Sequence, residues 1–124
     1  TVLPSGVEFW IGRNASQNEE LLKAAQSYQI WIHLRDYPGA HGLIRHQQKQ
    51  NISESDLDFA CNVVAILSRN PKKQFQAGDA LEFYTVQRKF LRKPKGSPPG
   101  HVLVDRETVR RVAFYPVRFD ILST

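Results

Sequence analysis

Residues 53–69, SESDLDFACNVVAILSR, decide the fold that the sequence predicts. Apolar residues recur in this stretch at the spacing of a helix face, and further apolar positions widen that face into a stripe. Ser53 or Ser55 can cap the first turn, and Asn70-Pro71 ends the helix, which we expect to reach about Arg69. This is the best candidate for the central core helix. Its apolar positions are Leu57, Ala60, Cys61, Val63, Val64, Ile66 and Leu67.

Strand patterns lie on both sides of this helix. Residues 7–11 are apolar, β-branched or aromatic, and residues 30–34 alternate in a way that places Trp31 and His33 on the same face. With a second, shorter helix near residue 20, the pattern predicts an α+β fold: a single domain with a mainly antiparallel sheet and two packed helices. The other extended segments are residues 42–45, 80–86, 90–92, 101–104 and 111–119, the last confined by Pro116 to a sheet edge or a bulge.

Length and composition narrow the class of protein. The 124 residues suit one domain, which we take to span residues 1–124 with residues 1–6 as a linker or tail. The hydrophobic share of 41% excludes a disordered chain, and no apolar run is long enough to span a membrane. A single cysteine, Cys61, allows no internal disulfide and favours a cytoplasmic location. Because the chain starts at Thr1 and contains no Met, we expect a piece of a longer protein.

The charge is unevenly distributed along the chain. The formal net charge is +5, from 17 basic and 12 acidic residues. Residues 69–95 alone hold eight basic and two acidic residues, so the excess is concentrated in about a quarter of the sequence. Such a concentration points to a polyanionic partner, whereas a solvated basic face usually intersperses its lysines with acids.

The first candidate site is the turn Gly12-Arg13-Asn14-Ala15-Ser16-Gln17-Asn18. It leads into the shorter helix, which the capping box Ser16-x-x-Glu19 predicts to run to about Gln26. A helix N-terminus offers unpaired N–H groups to a phosphate, and the exposed fork of Arg13 would add a bidentate contact. The amides of Asn14, Gln17 and Asn18 can read base edges, or they can cap backbone groups in an ordinary turn.

The second candidate site combines Trp31, His33 and His41, the last of which follows the turn Pro38-Gly39. An exposed Trp31 could stack a base while the imidazoles donate to phosphate or to a ribose hydroxyl. His41 is expected at the surface, since turns usually are. The alternative is that Trp31 belongs to the core. No compact pair of metal ligands is present in the sequence, so we expect no metal or cofactor.

The third candidate site is the basic stretch after residue 84. Tyr84 and Phe90 are interleaved with cations here, a pattern typical of surfaces that follow a nucleic-acid backbone and stack its bases. Such contacts position the RNA without reading its sequence. The candidate cations are Arg88, Lys89, Arg92, Lys93 and Lys95.

Five motifs in order resemble the NFACT-R domain, over about residues 6–112. They are Gly-Arg-Asn-x-x-Gln-Asn, Trp-x-His, Pro-Gly-x-His, Tyr-Thr with its basic continuation, and Gly-x-x-x-Gly-x-Val. This is the RNA-binding-type domain of the NFACT proteins, which comprise the bacterial RqcH/FbpA group and the eukaryotic NEMF-like group. The resemblance implies a role in ribosome-associated quality control and the rescue of stalled ribosomes. Those factors bind the obstructed large ribosomal subunit and recruit tRNA for untemplated tailing of the nascent chain.

The sequence departs from the family pattern at three places. Gln29 replaces an acidic residue that often precedes the tryptophan, Pro38-Gly39-Ala40-His41-Gly42 replaces Pro-Gly-Ser-His-Val, and Leu67-Ser68-Arg69 replaces Tyr-Ser-Lys. The family's other domains lie outside this chain, so tailing is not expected of it alone.

We therefore expect a non-catalytic RNA-binding module with tRNA or ribosomal RNA as its partner and no membrane. Two other classes stay open. One is a hydrolase that acts on nucleic acid or aminoacyl-tRNA through His33 and His41. The other is a protein-interaction module of the fibronectin-binding kind.

Overall fold

The computed structural model describes residues 1–68 and 74–119. Ser53, one of the two residues predicted to cap helix α2, is its N-cap. The predicted end of this helix near Arg69 lies outside the described residues. The elements in chain order are β1 (Phe9–Gly12), α1 (Ala15–Ala24), β2 (Ile30–Leu34), β3 (His41–Ile44), α2 (Glu54–Leu67), β4 (Ala80–Gln87), a 3₁₀ turn (Arg88–Phe90), β5 (Leu91–Arg92), β6 (Leu103–Val104) and β7 (Val109–Ala113).

The strands form two antiparallel sheets. The larger has the order β1-β3-β2-β4-β7, and β5 pairs with β6 in a second, two-stranded sheet. This confirms the predicted α+β class with two packed helices. The last strand, β7, starts before the predicted range 111–119 and is shorter than it. It ends at Ala113, where its pairing with β4 stops, and Pro116 lies outside the sheet.

The two faces of the larger sheet have different covers. Helix α2 covers one face, where Ile32, Leu34 and Phe83 are buried against Val63 and Val64. Helix α1 and the small sheet share the other face, where Leu21 and Leu22 pack with Trp31, Leu43, Val86 and Leu91. The second cover is incomplete, and this places the candidate site described below.

Cys61 lies at the centre of α2 and is fully buried, as its place on the apolar stripe predicts. Burial raises the pKa of its thiol to about 12, because the thiolate would lose its hydration. Cys61 is thus a core residue and no nucleophile at neutral pH.

Residues 1–6, expected to be a linker or tail, pack against the domain. Leu3 is buried, and Val2 forms a β-bridge with Glu8. The backbone N–H of Ser5 donates to Asp56 Oδ1 on α2 at 3.1 Å. This stretch therefore covers part of the core beside β1.

The N-terminus of α1 is capped differently from the prediction. Asn14, and not Ser16, is the cap, and its Oδ1 accepts from the N–H of Gln17 at 2.8 Å. Gln17 Oε1 in turn accepts from the N–H of Arg13, the residue before the cap, at 2.9 Å. The two side chains thus satisfy two backbone N–H groups, around a cap that lies two residues earlier than the predicted one. Glu19 is consequently free of the helix cap and binds elsewhere.

Gln29 shows why this chain departs from an acidic residue at that position. Its Oε1 accepts from the N–H of Gln26 at 3.0 Å and from Arg45 at 3.0 Å, while its Nε2 donates to the carbonyl of His46 at 3.1 Å. A carboxylate could accept the first two bonds but has no N–H for the third. The buried amide thus ties together the start of β2 and the end of β3.

Gly42 on β3 sets the separation between the sheet and α2. A Cβ there would lie 2.4 Å from the ring of Phe9 and 2.9 Å from Val64. We expect Gly42→Ala to lower the free energy of unfolding by about 1–3 kcal/mol through overpacking. Denaturant titration measures this.

The control for that experiment is Ala80→Val, which enlarges an exposed position of β4. It should change stability by less than about 0.5 kcal/mol. If both substitutions changed the free energy of unfolding equally, close packing at Gly42 would not be what sets the distance between the sheet and α2.

Candidate nucleic-acid interface

Trp31, His33 and His41 come together, as the sequence predicts, but two of them are buried. Trp31 is 2% exposed and His41 is 5% exposed, whereas His33 is half-buried. The expectations of an exposed stacking ring at Trp31 and of a surface position for His41 are therefore wrong. The small sheet and the loop between its two strands fold over this face of β2. The spacing of residues along β2 does not reveal this cover.

A hydrogen bond and ring packing hold this cluster. The indole Nε1 of Trp31 donates to His41 Nδ1 at 3.1 Å, and His33 stacks on Trp31 with ring centroids 5.4 Å apart. His41 meets the His33 ring edge-on at 5.0 Å. Since His41 Nδ1 is an acceptor, the neutral ring carries its proton on Nε2.

Burial keeps both imidazoles neutral. Loss of hydration lowers the pKa of His41 to about 3, and the neighbouring His33 adds to the effect. Burial also lowers the pKa of His33, while its hydrogen bond to the carbonyl of Leu34 opposes the shift. The pair therefore offers hydrogen bonds and not positive charge at neutral pH.

The turn before His41 is anchored to the end of α2. The N–H of Ala40 donates to Ser68 Oγ at 2.9 Å, and a Cβ on Gly39 would lie 2.4 Å from the Cβ of Ser68. Only glycine permits this approach. The contact fixes the turn and thereby the start of β3.

A carboxylate of α1 holds the loop between β5 and β6. Glu19 accepts from the N–H of Gly100 at 2.9 Å and pairs with Lys93 at 2.8 Å. Lys93 also donates to the carbonyls of Pro98 and His101. These bonds to the Gly100 N–H and to Lys93 lower the pKa of Glu19.

Two neighbouring cavities lie between these parts, and we call them together the groove. The cavity at the α1 end has a volume of about 460 Å³ and the cavity at the sheet end about 390 Å³, and both are lined by His33, His41, Gly100 and His101. The α1 end adds Arg13, Asn14 and Asn18. The sheet end adds Trp31, Tyr84 and Glu107.

The predicted cations do not all serve as free charges. Arg88 is half-buried and donates to the carbonyls of Leu22 and Leu91, so it joins α1 to the start of the small sheet. Lys93 is engaged by Glu19, and Arg92 pairs with Asp105 at 3.2 Å on the surface. The cations Arg69, Lys72 and Lys73 lie outside the described residues.

Three exposed cations belong to the small sheet and its loops: Lys89 and Arg106 lie beside Phe90, and Lys95 lies in the loop between β5 and β6. We call these three residues the basic cluster. Lys89 Nζ and Arg106 Cζ lie 5.2 and 5.4 Å from the centre of the Phe90 ring. All three cations are exposed. Phe90 is thus a ring flanked by two cations, Lys89 from the interleaved stretch and Arg106 from outside it.

Sequence reasoning selected the four residues before and in α1 but missed others. Arg13 and Asn14 are exposed, Gln17 is half-buried and Asn18 is buried. His101 was missed because it follows Gly100, which Glu19 holds from 81 residues away. Arg106 was missed because it lies between β6 and β7 and comes near Phe90 through the pairing of β5 with β6. The Gly-Pro composition of residues 94–100 and the motif Gly-x-x-x-Gly-x-Val, which includes His101, were the signals available for this loop.

Two further features bear on chemistry. Within residues 1–68 and 74–119, no three His, Cys, Asp or Glu side chains form a group that could hold a metal ion. Among the helices of the same residues, none is long and apolar enough to cross a bilayer.

Known proteins resemble this chain in sequence. The family model of the NFACT protein RNA binding domain matches residues 4–105. The Rqc2 homolog RqcH of Streptococcus pneumoniae strain D39 is 33% identical over 106 residues, and that of Bacillus subtilis strain 168 is 33% identical over 104 residues. Each match covers 83% of this chain, which spans only 18% and 17% of those proteins.

A solved structure supports the same relationship. The C-terminal part of the fibronectin/fibrinogen-binding protein from Streptococcus suis superposes with a TM-score of 0.77 at 25% identity. The match covers 92% of this chain and 44% of that one. These findings confirm the resemblance that the ordered motifs predict, and the chain belongs to the NFACT RNA-binding domain family.

Proposed function

We propose that this domain is a non-catalytic module that binds tRNA or ribosomal RNA, as part of a cytoplasmic factor that engages the large ribosomal subunit. The observation that carries the proposal is the family match over residues 4–105. The name Rqc2 homolog RqcH, borne by relatives 33% identical to the chain, supports a place in ribosome-associated quality control. The basic cluster supplies the electrostatic attraction that any RNA requires.

The mode of binding follows from how each cation is held. Exposed side chains can follow an irregular phosphate path, whereas Arg88 and Lys93 are committed to carbonyls and to Glu19. We therefore assign phosphate contacts to Lys89, Lys95 and Arg106, with Arg92 added when RNA displaces Asp105. Arg88 and Lys93 serve the same surface by fixing its shape.

The hydrolase alternative through His33 and His41 has weak support from the geometry. A general base works best when its pKa is close to the working pH, and burial lowers the pKa of His41 to about 3. Its Nδ1 is also occupied by Trp31. The cluster is better suited to supporting a binding surface than to proton transfer.

Protein binding is a second candidate, because the similar Streptococcus suis structure is described as part of a fibronectin/fibrinogen-binding protein. A surface-captured fibronectin assay tests it directly. Binding that withstands high salt and competes with tRNA would favour this function over the one proposed.

We expect the triple substitution of Lys89, Lys95 and Arg106 by Gln to weaken binding to single-stranded RNA and to flatten its salt dependence. Each lost phosphate contact should reduce the slope of log affinity against log salt by about 0.7, or about 2 for all three. Fluorescence anisotropy at four or more salt concentrations measures the slope.

The matched control replaces Lys49, Arg111 and Arg118 by Gln, which are exposed cations elsewhere on the domain. The net charge changes equally, so a local contact and a general charge effect are separated. The same slope in both triple variants would rule out the basic cluster as the RNA surface.

A further prediction concerns acid. The pKa of His41 is about 3 in the folded protein against about 6.5 for a free imidazole, so the unfolded chain binds more protons between these values. The contribution of neutral His41 to stability is therefore complete above about pH 6.5 and is lost as the pH falls toward 3. The slope of unfolding free energy due to one such group approaches about 1.4 kcal/mol per pH unit.

Replacing His41 by Gln keeps an acceptor for Trp31 and removes the titrating group. We expect its stability to fall less steeply than that of the unsubstituted protein between pH 6 and pH 4, as measured by urea unfolding at each pH. Parallel curves would mean that His41 is hydrated and titrates normally.

A further inference from the structure

The sheet end of the groove is an aromatic cavity that opens to solvent. Its volume of about 390 Å³ lies within the range of small-ligand sites. Such rings offer faces and edges to a planar heterocycle. The rings that line it, from the buried to the exposed, are Trp31, His41, His33, Tyr84 and His101.

The charge of this cavity disfavours a phosphate. Among the described residues that line it, none is a lysine or an arginine, and Glu107 supplies a carboxylate. Burial lowers the pKa of His41 to about 3 and also lowers that of His33, so both imidazoles are neutral at neutral pH. The cavity is therefore suited to a neutral ring that carries hydrogen-bond donors.

Glu107 is free to accept those donors. It is exposed, and it takes part in no ion pair among the residues that the structure describes. The hydroxyl of Tyr84 donates to its Oε1 in a long hydrogen bond of 3.4 Å, which directs the carboxylate toward the cavity. Because an ionised carboxylate has about four acceptor positions, most of them remain for a ligand.

Of the four RNA bases, guanine matches a carboxylate best. Its Watson–Crick edge presents two donors side by side, the N1–H and the exocyclic amine, as a guanidinium does when it binds a carboxylate. Adenine and cytosine have one amine beside an acceptor nitrogen, and uracil has one N–H between two carbonyls. Glu107 would repel these acceptors, so the edge of guanine is the one that it selects.

The cavity keeps its shape without a ligand. Tyr84 and Val102 pack against the core cluster that includes Trp31, and Glu19 holds the loop at Gly100. A preformed site of this kind loses little conformational entropy on binding.

The cavity also adjoins the basic cluster. Arg106 is the residue directly before Glu107, and it lies beside Phe90. Phosphates held at Arg106 would therefore bring a neighbouring base to the mouth of the cavity.

We propose that the sheet end of the groove binds an unpaired guanine, with its ring among His33, Tyr84 and His101 and its Watson–Crick edge on Glu107. This inference rests on the proposed RNA-binding function and deepens it: the basic cluster attracts any RNA, whereas the cavity selects a base. A guanine within a duplex is excluded, because cytosine already occupies its Watson–Crick edge.

The test compares single-stranded uridine hexamers in which one central uridine is replaced by guanosine, inosine, adenosine or cytidine. Their phosphates are equal in number, so the contribution of the basic cluster cancels. We expect the guanosine hexamer to bind about tenfold more tightly than the all-uridine hexamer, as one bidentate contact allows. Inosine, which keeps the N1–H and lacks the amine, should fall between them. Fluorescence anisotropy measures each affinity.

Glu107→Gln tests the residue that selects the base. Because Glu107 is exposed, the variant should keep its melting temperature, while its preference for guanosine over uridine should fall to about threefold or less. The matched control is Glu20→Gln, which removes an equal charge from an exposed position of α1. That variant should keep the full preference. A preference that persists in Glu107→Gln overturns the proposal.

A second measurement does not depend on the basic cluster. GMP and IMP share their phosphate and ribose and differ only in the exocyclic amine, and each is titrated into ¹⁵N-labelled protein. We expect GMP to bind about fivefold more tightly, since IMP lacks one hydrogen bond to a charged group. It should shift the amide signals of His33, His101 and Glu107. Equal affinities, or no saturable shift at these residues, overturn the guanine site.

The remaining outcomes separate this inference from the proposed function. If all hexamers bind equally, with a salt slope that depends on the basic cluster, the proposed function stands and the guanine site fails. If no hexamer binds, the proposed function fails and the GMP titration decides the ligand of the cavity. A guanidinium offers a similar pair of donors, so N-acetylarginine methylamide is titrated as well. If it binds the cavity more tightly than GMP, the site belongs to a protein side chain and the proposal is overturned.

Discussion

The structure depends on one constraint: a five-stranded sheet with two apolar faces has to be covered on both. Helix α2, with 14 residues, covers one face with β-branched and small side chains. Helix α1 has 10 residues and is about 15 Å long, too short to cover the other face by itself. The small sheet β5–β6 completes part of this cover. The part that stays open is the groove.

On the uncovered part of this sheet face, polar side chains take the place of the apolar ones that the same strands carry beneath α1. On β2, Trp31 belongs to the core below α1 and His33, two residues on, faces the groove. Burying the indole N–H would cost free energy if it had no acceptor, and His41 on the neighbouring strand supplies one. The Trp-x-His and Pro-Gly-x-His motifs thus mark a transition from core to site, in which Trp31 bonds His41 across β2 and β3 and His33 bonds the carbonyl of Leu34 on its own strand.

Local patterns predicted the elements well because they depend on neighbouring residues. The stripe on α2, its cap Ser53 and the alternation of Ile30–Leu34 needed only helix and strand periodicity. The burial of Trp31 and His41 could not be predicted in that way, since it depends on residues 93–101, a distant loop that folds over both side chains. The capping box at Ser16-x-x-Glu19 failed for the same reason: Glu19 binds Gly100 and Lys93, and Asn14 and Gln17 complete the cap without it.

The contact between Glu19 and Gly100 joins residues 81 positions apart, and it closes one wall of the groove. During synthesis the chain emerges from its N-terminus, so α1 is made long before the loop that it holds. Pairing of such distant segments also pays a large loop-closure entropy and is typically late in folding. A ribosome that stops before the codon for Gly100 therefore holds a chain that cannot yet make this contact, and this wall of the groove is unfinished.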